Sequence, residues 1–275
     1  MREVIEAKVD QGHRAQAHNL LGTVRRLFNW ALGTDAYGLE KSPCDRLKPR
    51  DLIGERAIRD RVLSNRELLA FWRATAHLGD PYGPLFRLLA LTIQRKSEVA
   101  EAVRSEVDLQ RRLWTIPKER MKRSKAHNVY LSRQVLDIFI ALKTCAGNSK
   151  YVLPSRYDAD APMSRATFNR VTYMVVEHAE KEGLPLEPFT VHDLRRTAST
   201  LLNELGFNSD WIEKCLAHED GRSSRGVYNK AEYEVQRRHM MQEWSNILDA
   251  WVGGQKYIPI LIPPSMPLLQ LDPAL

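Results

Sequence analysis

The stretch 190-TVHDLRRTAST-200 places charged side chains where a helix of the protein core would be apolar. His192 and Arg195 are three residues apart, so on a helix both side chains leave the same face. Leu194 and the leucines that follow the stretch supply an apolar face, and Thr190 is a favoured N-cap residue. The stretch therefore predicts a partly buried helix that presents a histidine and an arginine at one site.

The charge of the chain points to a polyanionic partner. Its 275 residues include 41 Lys and Arg against 34 Asp and Glu, a formal net charge of +7, within the range of ordinary globular proteins. The segment 111-RRLWTIPKERMKRSKAH-127 holds seven basic residues and one acidic residue, Glu119. Such a cluster favours nucleic acid over a membrane surface as the partner, and a solvated basic surface is the alternative.

Cysteine usage and hydropathy indicate the compartment. Cys44, Cys145 and Cys215 are widely spaced, with no CxxC pair and no histidine at metal-ligand spacing, which is typical of free thiols in a reducing compartment. The N-terminus is polar from Met1 to Asn19, and no apolar run approaches the length of a membrane span. We expect a cytoplasmic, nucleoid-associated bacterial protein with no membrane partner.

Apolar periodicity and capping residues predict a mainly helical protein. Ser64 and Glu67 form a capping box at the start of a second unit, after a first amphipathic helix. Helices are expected over residues 17–32, 65–76, 83–92, 133–142, 166–181, 209–217 and 231–252, as well as from residue 191 onward. Strand-like runs occur at residues 107–109, 113–116 and 129–131. The expected fold class is α+β, mainly α with a small antiparallel β-sheet.

Three further polar clusters have ordinary explanations when each is taken singly. Arg95 and Glu98 in 92-TIQRKSEVAEA-102 are compatible with a structural ion pair, and a lysine in the basic hairpin with a solvated side chain. A tyrosine before a helix, as in 215-CLAHEDGRSSRGVYNKAEY-233, is compatible with packing. Together the clusters form an ordered series: Arg with Glu three residues on, a basic hairpin, the HxxR pair, then His and Tyr ten residues apart.

With this series the sequence resembles the tyrosine recombinase (phage integrase) family over about residues 61–251. The resemblance implies the fold of the tyrosine recombinase (DNA breaking-rejoining) catalytic domain. The catalytic residues that it implies are Arg95 of TIQRKSEV, Lys122 of ERMKRSKAHNVYLS, His192 and Arg195 of HDLRR, His218 of LAHED and the nucleophile Tyr228 of GVYNK. Glu98 is implied as a support of the first arginine. The residues expected to contact DNA are Lys118, Arg120, Arg123, Lys125 and Arg196.

The chemistry of the family explains why these residue types are needed. Attack on a phosphodiester builds negative charge on the non-bridging oxygens, which Arg95 and Arg195 would stabilise. Tyr228 would attack to give a 3'-phosphotyrosyl enzyme. The expected proton-handling and hydrogen-bonding groups are His192 for the tyrosine proton, Lys122 for the departing 5'-oxygen and His218 for a phosphate oxygen. No metal or other cofactor is expected.

Two departures from the family pattern fall at positions that shape the backbone. Ile93 stands where the family usually has Gly, two residues before the first arginine. Ala217 stands where the family usually reads Leu-Gly-His. We expect both changes to affect the fine geometry of the site without changing the assignment of its residues.

The front of the chain departs further from the family pattern. Residues 1–45 are expected to be the C-terminal remnant of a helical core-binding domain, followed by a basic linker over residues 46–63. The catalytic domain is expected over residues 64–256 and a Pro-rich apolar tail over residues 257–275. We expect this tail to pack on its own domain, and docking onto a neighbouring copy is the alternative.

The resemblance implies a site-specific recombinase or integrase that acts on double-stranded DNA at attachment sites. Self-assembly on DNA, as a tetramer, and a DNA-bending accessory protein are the partners that it implies. A truncated front would impair this activity. Two alternatives remain: a truncated, non-catalytic DNA-binding remnant of an integrase, and a type IB topoisomerase-like enzyme, which resembles the family in its catalytic residues and mechanism.

Overall fold

The computed structural model describes residues 1–34, 37–56, 59–122, 124–218 and 229–264. Tyr228 and Arg123, both singled out by the sequence, lie outside the described residues, as does the tail after residue 264. The chain divides into two compact units, Met1–Asp60 and Arg61–Leu275.

The first unit is a small helical cluster. Its helices are α1 (Arg2–Asp10), α2 (Arg14–Gly33) and α3 (Pro49–Ile53). The apolar stripe predicted over residues 17–32 belongs to α2, and the core around it contains Ile5, Leu21 and Ile53. The sequence missed α1, whose single buried residue, Ile5, leaves no apolar periodicity to detect. It also missed α3, a short helix that begins at a proline inside the predicted linker.

The second unit is mainly helical, as the sequence predicts. Its helices are α4 (Asn65–Ala76), α5 (Tyr82–Thr92), α6 (Lys96–Ala100), α7 (Arg133–Cys145), α8 (Arg165–Lys181), α9 (Val191–Glu204), α10 (Ser209–Cys215) and α11 (Glu234–Val252). The predicted capping box is present at α4, where the Ser64 and Glu67 side chains each bond the other residue's N–H. The five-residue helix α6 was not predicted, since it is too short for a periodic pattern.

A three-stranded antiparallel sheet interrupts the helices. The strands β1 (Val107–Asp108), β2 (Leu113–Ile116) and β3 (His127–Tyr130) lie in the order β1-β2-β3. Strand β3 begins two residues earlier than predicted, because the buried ring of His127 faces inward and this residue pairs with Ile116. The connection from β2 to β3 contains the basic segment, so the predicted basic hairpin is confirmed.

Helix α5 lies at the centre of the second unit and packs against α4, α7, α9 and α11. Its apolar side chains are almost fully buried, and burial of each Leu or Phe contributes about 1.5–3 kcal/mol. Gly83 is required where α5 meets α4, because a Cβ at this position would lie 2.4 Å from the carbonyl oxygen of Thr75. The indole of Trp244 on α11 donates to the carbonyl of Ala90, 3.0 Å away. The Trp244 bond fixes the C-terminal end of α5, which leads into the site described below.

The described part of the apolar tail packs on its own unit. The buried carboxylate of Glu243 on α11 accepts hydrogen bonds from the Tyr257 hydroxyl, at 3.0 and 3.1 Å, and from the Ile260 N–H, at 2.8 Å. His239 Nε2 donates to the Ile260 carbonyl over 2.6 Å. The side chain of Ile258 stays 89% exposed, so the tail retains an apolar outer face.

Candidate active site

Among the predicted catalytic residues that the structure describes, Arg195 is the most deeply buried, with 3% of its surface exposed. Helix α9 begins at a capping interaction in which the buried Asp193 carboxylate accepts the Thr190 N–H over 2.8 Å. One turn into the helix, the Arg195 guanidinium donates from Nη1 to the carbonyl of Ile93, 2.7 Å away, and from Nη2 to that of Leu216. Both terminal nitrogens of the guanidinium are therefore held by main-chain carbonyls before any substrate binds.

The electrostatics of α9 give its two predicted residues different roles. Burial, followed by the charge of Arg95, lowers the pKa of Arg195 to about 10, so the guanidinium stays charged at neutral pH. Desolvation, followed by the charges of Arg195 and Arg196, lowers the pKa of the exposed His192 below its ordinary value. The neutral imidazole that results can accept a proton.

Arg95 is held by the carboxylate three residues after it. Glu98 is buried, and its Oε1 accepts from Arg95 Nη1 at 2.7 Å while its Oε2 accepts the Arg95 N–H at 2.7 Å. Arg95 Nη2 lies 3.4 Å from the carbonyl oxygen of Leu216, which also accepts from Arg195. One main-chain oxygen thus brings the two predicted catalytic arginines together.

The C-terminal turn of α10 organises the whole site. The carbonyl of Cys215 accepts from Gln94 Nε2 at 3.1 Å and from His127 Nε2 at 3.2 Å, while that of Leu216 accepts from the two arginines. The last carbonyls of a helix lack intrahelical partners and form the negative end of its dipole, which favours cations. Because a carbonyl has no net charge, the arginines keep their positive charge for a substrate.

Both departures from the family pattern lie at helix ends in the left-handed conformation. Ile93 ends α5 with φ 54°, and Ala217 follows α10 with φ 46°. Ala217 N–H donates to the Lys214 carbonyl at 3.2 Å and His218 N–H to the Glu213 carbonyl at 3.0 Å, which together form a Schellman motif. The usual glycines of the family therefore match a real backbone requirement, which this chain meets with L side chains.

Lys122 lies in the hairpin and lines a cleft of about 280 Å³ with Arg95, His127 and Glu232. Arg95 also lines a second cleft, of about 530 Å³, together with His192 and Arg195. The Nε2 atom of His218 lies 3.3 Å from Arg195 Nη2. The structure therefore brings together five of the six predicted catalytic residues, and the sixth, Tyr228, lies outside the described residues.

Sequence reasoning missed two residues at this site, Gln94 and His127. Burial, followed by the charge of Arg237, lowers the pKa of His127 to about 3, so its ring is neutral and donates to the Cys215 carbonyl. Gln94 is buried and bridges Cys215 to the carbonyl of Thr92. The available signal for His127 was its position two residues before the apolar Val129, on the same inward face of the strand.

The predicted DNA-contact residues differ in their surroundings. Lys118 and Lys125 are exposed in the hairpin, and Lys125 Nζ lies 3.0 Å from Glu232 Oε1. Arg196, 30% exposed, pairs with Asp193 at 3.1 Å. Arg120 pairs with Glu106 at 2.6 Å and donates to the Glu98 carbonyl at 3.1 Å, so it supports Glu98, and its contact with DNA stays a prediction.

Neither a metal site nor a membrane-spanning helix occurs in the described ranges. No group of three or more His, Cys, Asp or Glu side chains in them has the geometry to hold a metal ion. None of the helices described is both long and apolar enough to cross a bilayer.

Comparison with known proteins follows the same part of the chain. The sequence profile of the phage integrase family matches residues 62–234. The prophage integrase IntA of Escherichia coli (strain K12) is 39% identical over 170 residues, which are 62% of this chain and 39% of that protein. The prophage integrase IntS of the same organism is 30% identical over 252 residues, 90% of this chain and 62% of that protein. The chain thus spans between 39% and 62% of the length of these two relatives.

Solved structures share the fold. A lambda integrase dimer bound to a COC' core site superposes with a TM-score of 0.59 at 18% sequence identity, over 83% of this chain and 80% of that chain. A lambda integrase tetramer bound to a Holliday junction superposes with a TM-score of 0.60 at 16% identity, over 80% of this chain and 63% of that chain. These similarities confirm the expected fold class.

Proposed function

The chain belongs to the phage integrase family, and we propose that it is a site-specific DNA recombinase that cleaves and rejoins DNA through a 3'-phosphotyrosyl intermediate. The observation that carries this proposal is the meeting of Arg95 and Arg195 at the Leu216 carbonyl. Two fixed guanidiniums beside an open cleft suit a phosphodiester, whose non-bridging oxygens gain charge during attack.

The reaction requires one bond to form and one to break at the scissile phosphorus. The Tyr228 oxygen forms a bond to phosphorus, the bond from phosphorus to the 5'-oxygen breaks, and the 3'-phosphate stays attached to the enzyme. His192, neutral at neutral pH, takes the phenolic proton, and Lys122 gives a proton to the departing 5'-oxygen. Attack by a 5'-hydroxyl on the phosphotyrosine reverses these steps and joins the strands.

Glu98 and Arg120 support this chemistry through Arg95. Glu98 orients Arg95 through its two short hydrogen bonds, and Arg120 fixes the main chain of Glu98 from the hairpin side. The bond from Arg120 to the Glu98 carbonyl ties the hairpin that carries Lys122 to the helix that begins at Arg95, and the pair with Glu106 holds the Arg120 side chain in place. This link holds Lys122, the proposed proton donor to the 5'-oxygen, in a fixed position relative to the arginine that binds the phosphate.

Double-stranded DNA is the proposed partner, bound through the exposed lysines of the hairpin. Neutralising phosphates releases counterions, so affinity should fall steeply with salt, and exchanging Lys118 and Lys125 for Gln should flatten that slope. We extend to this chain the assembly of the solved relatives, a dimer on a core site and a tetramer on a Holliday junction. A cytoplasmic location and a DNA-bending accessory protein complete the proposal.

A nicked suicide substrate tests the proposal. When the short 5'-fragment diffuses away, the attacking hydroxyl for religation is lost, and a protein–DNA adduct resistant to denaturant should accumulate. Tyr228→Phe should abolish this adduct and leave DNA binding unchanged, since only the phenolic oxygen is removed. EDTA should not reduce the yield.

The outcomes separate the competing functions. An adduct that maps to Tyr233 or Tyr130 would overturn the assignment of the nucleophile. DNA binding without any adduct would favour the non-catalytic remnant, and relaxation of supercoiled plasmid without site preference would favour the topoisomerase-like enzyme.

A further inference from the structure

We propose that Glu213 is a positioning residue that fixes the ring orientation and tautomer of His218, so that the Nε2 atom of His218 faces the phosphate site. This role deepens the proposed function and rests on it. The family resemblance carried His218 to this chain but gave no role to any residue at position 213.

The Schellman motif at the end of α10 brings these two residues side by side. Glu213 is the residue three positions before the helix cap and His218 the second residue after it, and the motif joins their main chains by a 3.0 Å hydrogen bond. Their side chains meet across the same turn, with His218 Nδ1 3.0 Å from Glu213 Oε2. Apolar contacts often occupy these two positions, and here a carboxylate and an imidazole replace them.

The hydrogen-bond partners select one tautomer of the ring. An ionised carboxylate only accepts, so the hydrogen between Glu213 and His218 must lie on Nδ1. A guanidinium only donates, so Nε2 of His218 receives the Arg195 Nη2–H, 3.3 Å away, through a lone pair. Both neighbours therefore favour the tautomer with its hydrogen on Nδ1. The opposite tautomer would place the Nε2–H of His218 against an N–H of Arg195.

This arrangement leaves Nε2 as the nitrogen that exchanges a proton at the site. When Nε2 binds a proton, it no longer accepts the Arg195 Nη2–H and instead donates to a phosphate oxygen, while Nδ1–H stays on Glu213, as in other sites where a carboxylate orients a histidine. Among the described residues, the charged and titratable groups that face His218 are Glu213 on α10, and Arg195 and His192 on α9. The negative charge of Glu213 also acts on Arg195, where it partly opposes the lowering of the pKa.

Stability alone does not account for this pair. Both side chains are about half exposed, at 47% and 50%, and such pairs contribute little to folding. An effect of Glu213 on strand cleavage that exceeds its effect on stability would therefore reflect positioning.

The first test reads the tautomer directly and needs no activity. In long-range ¹H–¹⁵N spectra of the full chain, His218 is assigned by the loss of its signals in His218→Gln. We expect the Nδ1–H pattern in the parent and a shift toward Nε2–H in Glu213→Leu, with no change in the control Glu180→Leu, an exposed glutamate on α8. An Nε2–H pattern in the parent chain would overturn the proposal.

The second test is a double-mutant cycle on single-turnover adduct formation. Glu213→Leu should slow the reaction by about 10-fold with DNA affinity unchanged, since loss of such an orienting partner typically costs about 10–100-fold. Glu213→Gln, which keeps an acceptor, should recover most of the rate. In a His218→Ala background, Glu213→Leu should have no further effect, and equal slowing there would refute a role through His218.

The two tests separate this inference from the proposed function. If the parent chain forms no adduct, the proposed function fails, while the spectra still decide whether Glu213 sets the tautomer. If the adduct forms and the spectra do not respond to Glu213→Leu, the inference fails alone.

Discussion

The C-terminal ends of α5 and α10 share a backbone conformation but are stabilised in different ways. Ile93, at the end of α5, is completely buried in the core and offers one carbonyl, to Arg195. Ala217, after α10, has no large side chain, and the two carbonyls before it accept four side-chain donors. Packing therefore holds the first end in its left-handed conformation, whereas hydrogen bonds hold the second.

Exchange of Arg195 for Lys should have the largest effect, because its guanidinium bonds to both ends and also faces the proposed phosphate site. A lysine has one ammonium group and cannot reach the Ile93 and Leu216 carbonyls while it also faces a phosphate. We expect single-turnover adduct formation to slow by about 10²-fold or more, with DNA affinity little changed. Arg196→Lys, next to it on the helix surface, is the matched control, and equal slowing in the control would contradict this reading.

Exchange of Ile93 for Gly should destabilise the protein. Removing a buried aliphatic side chain of this size costs about 2–5 kcal/mol, and relief of the left-handed conformation returns about 1–2 kcal/mol. The free energy of unfolding in urea should fall by about 2 kcal/mol, the net of these two effects. A rise in stability would mean that strain, not packing, dominates the end of α5.

Acid should weaken the α10 end through His127. The folded pKa of about 3 is below the ordinary 6.5, so the ring contributes stability that is fully present above pH 6.5 and is lost as pH falls toward 3. Within that window it adds about 1.4 kcal/mol per pH unit to the slope of the unfolding free energy. His127→Gln retains a donor but does not titrate, so urea titrations from pH 7 to pH 4 should give a flatter curve. Identical slopes would place the acid sensitivity elsewhere.

Exchange of Ala217 for Gly should have the smallest effect and the opposite sign to that at Ile93. Glycine adopts positive φ without steric cost, and Ala217 buries little surface, so stability should rise by about 0.5–1 kcal/mol. Thermal and urea unfolding measure this change. A loss of stability would show that the methyl group packs more than its partly exposed position suggests.

The sequence predicted the side chains of the site far better than the acceptors that hold them. The spacing of His192 and Arg195 placed both residues on one helix face. Away from the site, the capping box of Ser64 and Glu67 predicted the start of α4. The four donors at the end of α10 could not be paired in advance, because their acceptors are main-chain carbonyls, which every residue has. Glu213 has a weak signal, an acidic residue five before a histidine, which gains meaning only once the turn is known to be a Schellman motif.

The short helix α6 and the position of Arg120 show a second limit of sequence reasoning. A helix of five residues has no periodicity, so the side chain that begins it, Arg95, was placed by motif alone. Arg120 stands among six other basic residues of its segment, and only its contacts with Glu106 and Glu98 distinguish it from a DNA-facing neighbour. Composition predicts the charge of a segment but not the direction of each side chain.

The use of main-chain carbonyls at α10 has a genetic consequence. Point mutation cannot delete a carbonyl, so a screen for inactive variants should recover changes at the donors Arg95, Arg195, Gln94 and His127. Substitutions of the buried Cys215 and Leu216 would act through lost core packing and leave the two carbonyls in place. Inactivating alleles within α10 should instead be those that alter the path of the backbone, above all proline. Alanine scanning of α10 would then report the packing of its side chains and not the carbonyls that assemble the site.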